Sequence, residues 1–288
     1  MRTTLLGLLL PCTVAIAVPT LASLSARGLA LRQSWGHGSG GLAHLGSLNF
    51  DSAFYAGGTQ PRDWANWLVP GRLMVGQYPS VQPAVPGPSL GEADEHMRRC
   101  LLAGVDGFVC LQEEVPPQDA THRWTEGGIP LPGESASRFP GKFRRYAADA
   151  DRIASELGAD DGAPRRPLRF LHCPIEDLNV PADQSGLLLL FDACLSHYEA
   201  GGGALYVHCW GGRGRAGLVG SSLLSLLWPG ADGETLLALV QRGYAGRAGA
   251  ESMRRELQRS PQTEAQRTFV QAFSRDVRFS RLSELGIY

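Results

Sequence analysis

The 288-residue chain is long enough for one large domain or two small ones, and its 43% apolar and 19% charged content is that of a soluble globular protein with a sizeable core. A formal net charge of -1 excludes the strong bias expected of a nucleic-acid or membrane-surface binder. The cysteines at 12, 100, 110, 173, 194 and 209 form no CxxC pair and suit neither a zinc site nor a disulfide framework, so free thiols in a reducing compartment are expected. Lys142 is the only lysine, and arginine carries nearly all the positive charge.

Residues 1–50 contain no Asp or Glu and carry Arg2, Arg27 and Arg32 among many Ser, Thr and Gly. Leu5 to Val18 is an apolar run broken by Pro11, shorter than the roughly 20 residues of a membrane span. An organelle transit peptide, a secretory signal and an unprocessed disordered tail all fit this composition, and each places the segment outside the fold. A folded domain is expected over residues 62–278, its ordered part beginning near Trp64. Four prolines between Pro79 and Pro88 mark an extended loop. Ser89 with Glu92 three residues on is a capping box. Glu92, Asp94 and Glu95 then open a helix that Arg98 and Arg99 close in the sense of its dipole, and Gly104 ends it.

Phe108–Leu111 follows as a short buried strand. Residues 112–167 read as an irregular insertion with one helix around 146–157. Leu168–Leu171 and Ala204–Val207 predict two more strands. Helices are expected over 184–199, 215–227, 233–243 and 264–276. Strands alternating with helices predict an α/β three-layer sandwich around a mostly parallel sheet.

The most informative stretch runs Val207-His208-Cys209-Trp210-Gly211-Gly212-Arg213-Gly214-Arg215-Ala216-Gly217, between a predicted strand and a predicted helix. Glycines at 211, 212 and 214 let the backbone curl and approach a ligand. Successive amides then form an anion-binding nest, to which the helix beginning at Arg215 adds its positive end. Trp210, Gly211, Gly212, Arg213, Gly214 and Arg215 are therefore the candidate phosphate-binding residues. Cys209 enters this loop where amides and arginine favour thiolate over thiol, the form that attacks phosphorus. Arg215 is placed to fork two N–H groups onto phosphoryl oxygens. His208 is expected to hold the loop rather than to titrate in catalysis. Arg213 points either to solvent or toward a substrate with more than one phosphate.

His208-Cys209-x-x-Gly212-x-x-Arg215 resembles the signature of the protein tyrosine phosphatase superfamily, and the Cys-Trp-Gly-Gly loop is similar to that of compact dual-specificity phosphatases. The resemblance spans roughly residues 68–276, with weaker support from Pro70-Gly71-Arg72-Leu73, Ala103-Gly104-Val105, Pro174-Ile175-Glu176-Asp177 and Ser260-Pro261-Gln262-Thr263-Glu264-Ala265-Gln266. It implies a phosphomonoesterase working through a phosphocysteine, without cofactor or metal. In it Asp177 is the acid for the leaving oxygen, with Glu176 and then Asp183 as fallbacks, and Gln266 helps to place water. It also exposes a departure: Ala216 stands where the family has Ser or Thr, whose hydroxyl helps the cysteine leave.

The implied partner is a phosphorylated protein or another phosphomonoester, with no nucleic acid, no membrane span in the folded domain and no stated oligomeric state. The expected compartment is the cytoplasm or an organelle such as a plastid, with secretion as the alternative. A phosphate-binding pseudophosphatase, a phosphoinositide or other non-protein phosphatase, and a sulfur-transfer enzyme are the competing functions. A protective Cys173–Cys209 disulfide is weighed against Cys173 as a buried strand residue.

Overall fold

The computed structural model describes residues 17–36, 41–42, 45–51, 63–84, 87–161 and 166–287. The expected apolar run Leu5–Val18 lies almost wholly outside the described residues. Five strands form one sheet: β1 (Ala65–Val69), β2 (Leu73–Gly76), β3 (Val105–Gln112), β6 (Arg169–Ile175) and β7 (Ala204–His208), in the order β1-β2-β7-β3-β6. Only the β1–β2 pair is antiparallel. The two central strands, β7 and β3, are buried at every position, as a parallel sheet covered on both faces requires.

Helices supply the outer layers. On one side α2 (Leu90–Leu102) packs on β3 and against α4 (Ala147–Asp161). On the other lie α5 (Gln184–Glu199), α6 (Arg215–Leu227), α7 (Gly233–Ala245) and α8 (Glu264–Glu284), with α6 running behind β2 and β7. The sandwich expected from the alternating pattern is thus present. The Ser89–Glu92 capping box forms in both directions, so the start of α2 is fixed by local sequence.

Three expectations need correction. First, β1 and β2 were not expected as strands. They are only 5 and 4 residues long and buried throughout, so they carry no alternation to read. Pro70 and Gly71 join them, and Arg72 N–H closes the turn on Val69 C=O at 2.9 Å with Gly71 at φ 70°, a conformation glycine adopts without strain.

Second, residues 1–50 do not lie wholly outside the fold. Helix α1 (Leu21–Ser34), capped by Thr20, packs on α5, α6 and α8. Its buried residues Leu24, Gly28 and Leu31 recur every three or four positions, one face of a helix. Gly28 lies so close to α6 that a Cβ there would sit 2.5 Å from the Leu226 carbonyl oxygen. Arg27 pairs with Asp192 and with Glu199 at 2.7 Å, tying α1 to α5. The lack of acids suggested a leader, but a helix that meets other helices through leucine and glycine needs none.

Third, the 112–167 segment has the expected helix and, among its described residues, short elements that were not expected. It holds a small antiparallel sheet of β4 (Ile129–Pro130) and β5 (Lys142–Phe143), the short helix α3 (Glu134–Arg138), and α4. Buried Gln118 organises it, its Oε1 accepting from Tyr146 N–H at 3.0 Å and Ala147 N–H at 3.2 Å. That bond satisfies two of the amides at the start of α4.

Candidate active site

Strand β7 ends at His208, residues 209–214 form a loop, and α6 starts at Arg215. Neighbours hold the loop by its carbonyls. Trp210 C=O accepts from Tyr78 N–H at 3.1 Å, Gly212 C=O from Arg247 Nη2 at 3.0 Å, and Arg213 C=O from Ser260 Oγ at 2.8 Å. In a trans peptide the following N–H points the opposite way, which turns the amides of Gly211, Arg213 and Gly214 toward the far side. Those three residues line a cavity of about 600 Å³ together with Cys209 and Arg215. Gly212 is needed for a second reason. It has φ 64°, and a Cβ there would lie 2.2 Å from the Gly76 carbonyl carbon, so the loop rests directly on the end of β2.

Cys209 lines the cavity from a nearly buried position. The preceding His208 is fully buried and meets the Tyr146 hydroxyl at 2.9 Å. Burial drives its pKa down to about 3, so the ring is neutral. Arg247, also buried, donates to Gly212, to Val75 C=O and to Asn66 Oδ1, and braces the loop from behind.

Arg215 is 1% exposed. Glu114 grips the end of its guanidinium with Oε2 at 2.6 Å from Nη1 and Oε1 at 3.0 Å from Nη2, and Nη1 also donates to Ile175 C=O at 3.0 Å. Burial lowers its pKa, but the Glu114 hydrogen bonds and nearby negative charge outweigh that and raise it, so the cation is permanent. Asp177 Oδ1 sits 2.9 Å from Nη2. The remaining donor, Nε, is buried with no acceptor among the described residues. Nε and Nη2 form one edge of the planar fork, the edge a phosphoryl group would take.

Asp177 follows β6 and lines the cavity with its side chain half exposed. The fallback acids are turned elsewhere: Glu176 accepts from Asn179 Nδ2 at 2.7 Å, and Asp183 caps α5 through Ser185 and Gly186. Leu178, next to Asp177, adopts φ 64°, a costly conformation for a residue with a Cβ. Two bonds from the start of α8 hold the loop there: Thr263 Oγ1 to Leu178 C=O at 3.2 Å and Gln266 Nε2 to Asn179 C=O at 3.0 Å.

Gln266, expected to help place water, is buried and does not line the cavity. Its Oε1 accepts from Gln262 and Thr263 N–H, completing a capping box, and its Nε2 donates to Asn179 C=O in the loop after β6. The glutamine that does line the cavity is Gln262, whose Oε1 accepts from Arg213 Nε at 3.1 Å. A Cys173–Cys209 disulfide is ruled out by topology. Cys110 on β3 pairs in register with His172 on one side and His208 on the other, so Cys173 and Cys209 lie two strand spacings apart, about 10 Å, beyond a disulfide's ~7 Å Cα reach.

Sequence reasoning missed Glu114, Arg138, Phe139 and Arg254. Glu114 had a usable signal, an acidic pair just past the carboxyl end of a predicted strand, where ligands gather in parallel sheets. The others sit in segments with no periodicity.

Residues 161–270 match the family model PTP-SAK, described as Swiss Army Knife protein, DSP-PTPase phosphatase domain. No curated protein matches the sequence. Among solved structures the chain is similar to Tk-PTP in its active form (17% identity, 71% of this chain and 92% of that one, TM-score 0.40). It is similar to kinase associated phosphatase (14%, 71% and 86%, TM-score 0.43) and to TpbA of P. aeruginosa (16%, 77% and 96%, TM-score 0.39). The matched segment holds Asp177, Cys209 and Arg215, while β1, β2 and β3 precede it. Residues 161–270 are thus similar to a DSP-PTPase phosphatase domain.

Proposed function

We propose that the chain is a cysteine-dependent phosphomonoesterase that works through a phosphocysteine on Cys209. The observation that carries this reading is the convergence on one cavity of Cys209 and Arg215, from the two ends of one loop, with Asp177, from the segment after β6. The Cys209 thiolate attacks phosphorus while the loop amides and the Nε–Nη2 edge of Arg215 take the phosphoryl oxygens. Glu114 keeps the far end of the guanidinium, so the fork does not have to find its orientation during the reaction. The incoming phosphate replaces Asp177 on Nη2. The freed carboxylate takes up a proton from solvent and gives it to the leaving oxygen as the bond to phosphorus breaks. Asp177 then takes a proton from water, which attacks the phosphocysteine and releases phosphate and thiolate. With Ala216 after Arg215, no hydroxyl at that position stabilises the departing sulfur, and this second step is the slower one.

Phosphotyrosine and phosphoserine or phosphothreonine in proteins are the leading substrates by resemblance. The test is hydrolysis of an aryl phosphate by wild type and Cys209→Ser, with an acid quench to trap labelled phosphoprotein. Turnover by wild type alone, with label on Cys209, supports the reading. Phosphate binding without turnover in wild type overturns it in favour of a pseudophosphatase.

A further inference from the structure

Arg215 does not meet the Cys209 sulfur as a bare charge. Glu114 holds both Nη1 and Nη2, at 2.6 and 3.0 Å, and Asp177 lies 2.9 Å from Nη2. One guanidinium against two carboxylates leaves no positive charge to spare for a third anion.

The other titratable neighbours of the sulfur supply little. His208 is neutral. Burial pushes the Cys110 thiol on β3 up to about 12 and raises the Tyr206 phenol well above its ordinary value, so neither carries charge. Arg213 is half-buried, donates to Gln262 and lines the open cavity, where solvent screens it.

Behind the loop sits a guanidinium in the opposite condition. Arg247 is 2% exposed. Its Nε donates to Asn66 Oδ1 at 2.8 Å, and its Nη2 to Val75 C=O at 2.9 Å and Gly212 C=O at 3.0 Å. These acceptors are all uncharged, and Nη1 is buried with no acceptor among the described residues. Asp63, whose charge reaches Arg247, accepts instead from Ala248 N–H at 2.9 Å. The neighbouring stretch 52–62 contains no Asp or Glu that could answer the cation. Burying a charge without an opposite partner is costly, so the resting thiol form of the site leaves Arg247 in want of an anion.

One peptide carries that charge to the cavity. Gly212 C=O points at Arg247, and the N–H of the same peptide, that of Arg213, points the opposite way, toward the cavity. The peptide dipole thus has the guanidinium at its negative end and the site of the anion at its positive end. In such a chain each hydrogen bond strengthens the next. When Cys209 ionises, the buried cation gains its missing counter-charge across the loop.

We infer that Arg247 is a positioning residue for the nucleophile: its unpaired charge, relayed by the Gly212–Arg213 peptide, holds Cys209 as thiolate. The inference rests on the phosphatase reading above, and it accounts for an ionised nucleophile beside an Arg215 that is already neutralised.

The test is the rate of Cys209 alkylation by iodoacetamide across pH, on full-length protein, read by mass spectrometry of the modified peptide. A thermal melt accompanies each variant. In Arg247→Met the midpoint of the pH profile should rise by at least about one pH unit, roughly a tenfold loss of thiolate below it. Arg247→Lys keeps a charge and should stay within about half a pH unit of wild type. Asn66→Asp keeps the arginine and its two carbonyl bonds but sets a carboxylate against Nε, so it should raise the midpoint as Arg247→Met does. It decides the matter where Arg247→Met fails to fold. An unmoved midpoint in Asn66→Asp overturns the inference. So does a rise in Arg247→Lys equal to that in Arg247→Met, which would show that the shape of the brace acts and its charge does not. Alkylation needs no turnover: a shifted midpoint in a protein that hydrolyses no aryl phosphate overturns only the hydrolytic reading, and full turnover with an unmoved midpoint overturns only the role of Arg247.

Discussion

Replacing Glu114 tests the site at its most buried contact. Glu114 makes two hydrogen bonds, of 2.6 and 3.0 Å, to a guanidinium 1% exposed, and is itself 14% exposed. In Glu114→Ala the arginine keeps only Ile175 C=O and the Asp177 carboxylate as described partners. Removing one partner of a buried pair costs about 3–5 kcal/mol, because the remaining charge is left uncompensated. Here Asp177 takes up part of that charge, which on the proposed mechanism places two demands on one carboxylate: it must neutralise Arg215 and must also leave it to act as acid.

The loss of a preorganised clamp is worth about 10²- to 10³-fold in rate, so kcat/KM for an aryl phosphate should fall by about that much, mostly in kcat. Glu114→Gln keeps one acceptor and should lose roughly tenfold. The assay is steady-state hydrolysis alongside a thermal melt, so that misfolded protein is not counted as an inactive site. A folded Glu114→Ala protein with kcat/KM within about threefold of wild type would refute the role assigned to the carboxylate.

Three further outcomes are expected. Ala216→Ser should raise steady-state turnover about tenfold and remove the lag of phosphate release behind aryl alcohol release; unchanged turnover removes the case for a slow second step. His96 and His208 both have pKa values lowered by burial to about 3, so the unfolded chain binds more protons below the usual 6.5. Their stabilising contribution is complete above pH 6.5 and is lost as pH falls toward 3, about 2 kcal/mol each at pH 5. Tm should therefore drop between pH 7 and 5, less steeply in His96→Phe, and a flat profile would contradict it. Leu24→Ala, at a fully buried position of α1, should cost about 3 kcal/mol in denaturant melts; a change under about 1 kcal/mol would mean that α1 does not pack as described.

Much of this architecture was legible because local signals and tertiary needs agreed. Ser89 and Glu92 name the start of α2, Gly201 to Gly203 separate α5 from β7, and the glycines around Cys209 require a tight anion-binding loop. Legibility failed where a residue's role depends on a distant partner. Glu114 reads as one of two acids after a strand until Arg215, 101 residues later, folds onto it. Gln266 was given a water-placing role by resemblance, yet its amide is spent on the cap of α8 and on Asn179. Helix α1 was discounted because its composition imitates a leader, while its Leu24, Gly28 and Leu31 face acquires meaning only against α6. Composition reports what a segment prefers alone, and packing decides what it becomes.

The ion pair between Asp177 and Arg215 has a consequence for how tightly the free site binds its ligands. The clamp is occupied before substrate arrives, so phosphate exchanges with a carboxylate and not merely with solvent. That competition weakens substrate and inorganic phosphate alike in the ground state. On the proposed mechanism it does not weaken the transition state, where Asp177 has moved to the leaving oxygen and interacts there. If the proposed mechanism holds, the cavity is thereby biased against resting phosphate and in favour of phosphorus in flight, and the product that would otherwise linger on a permanent cation is displaced by the Asp177 side chain.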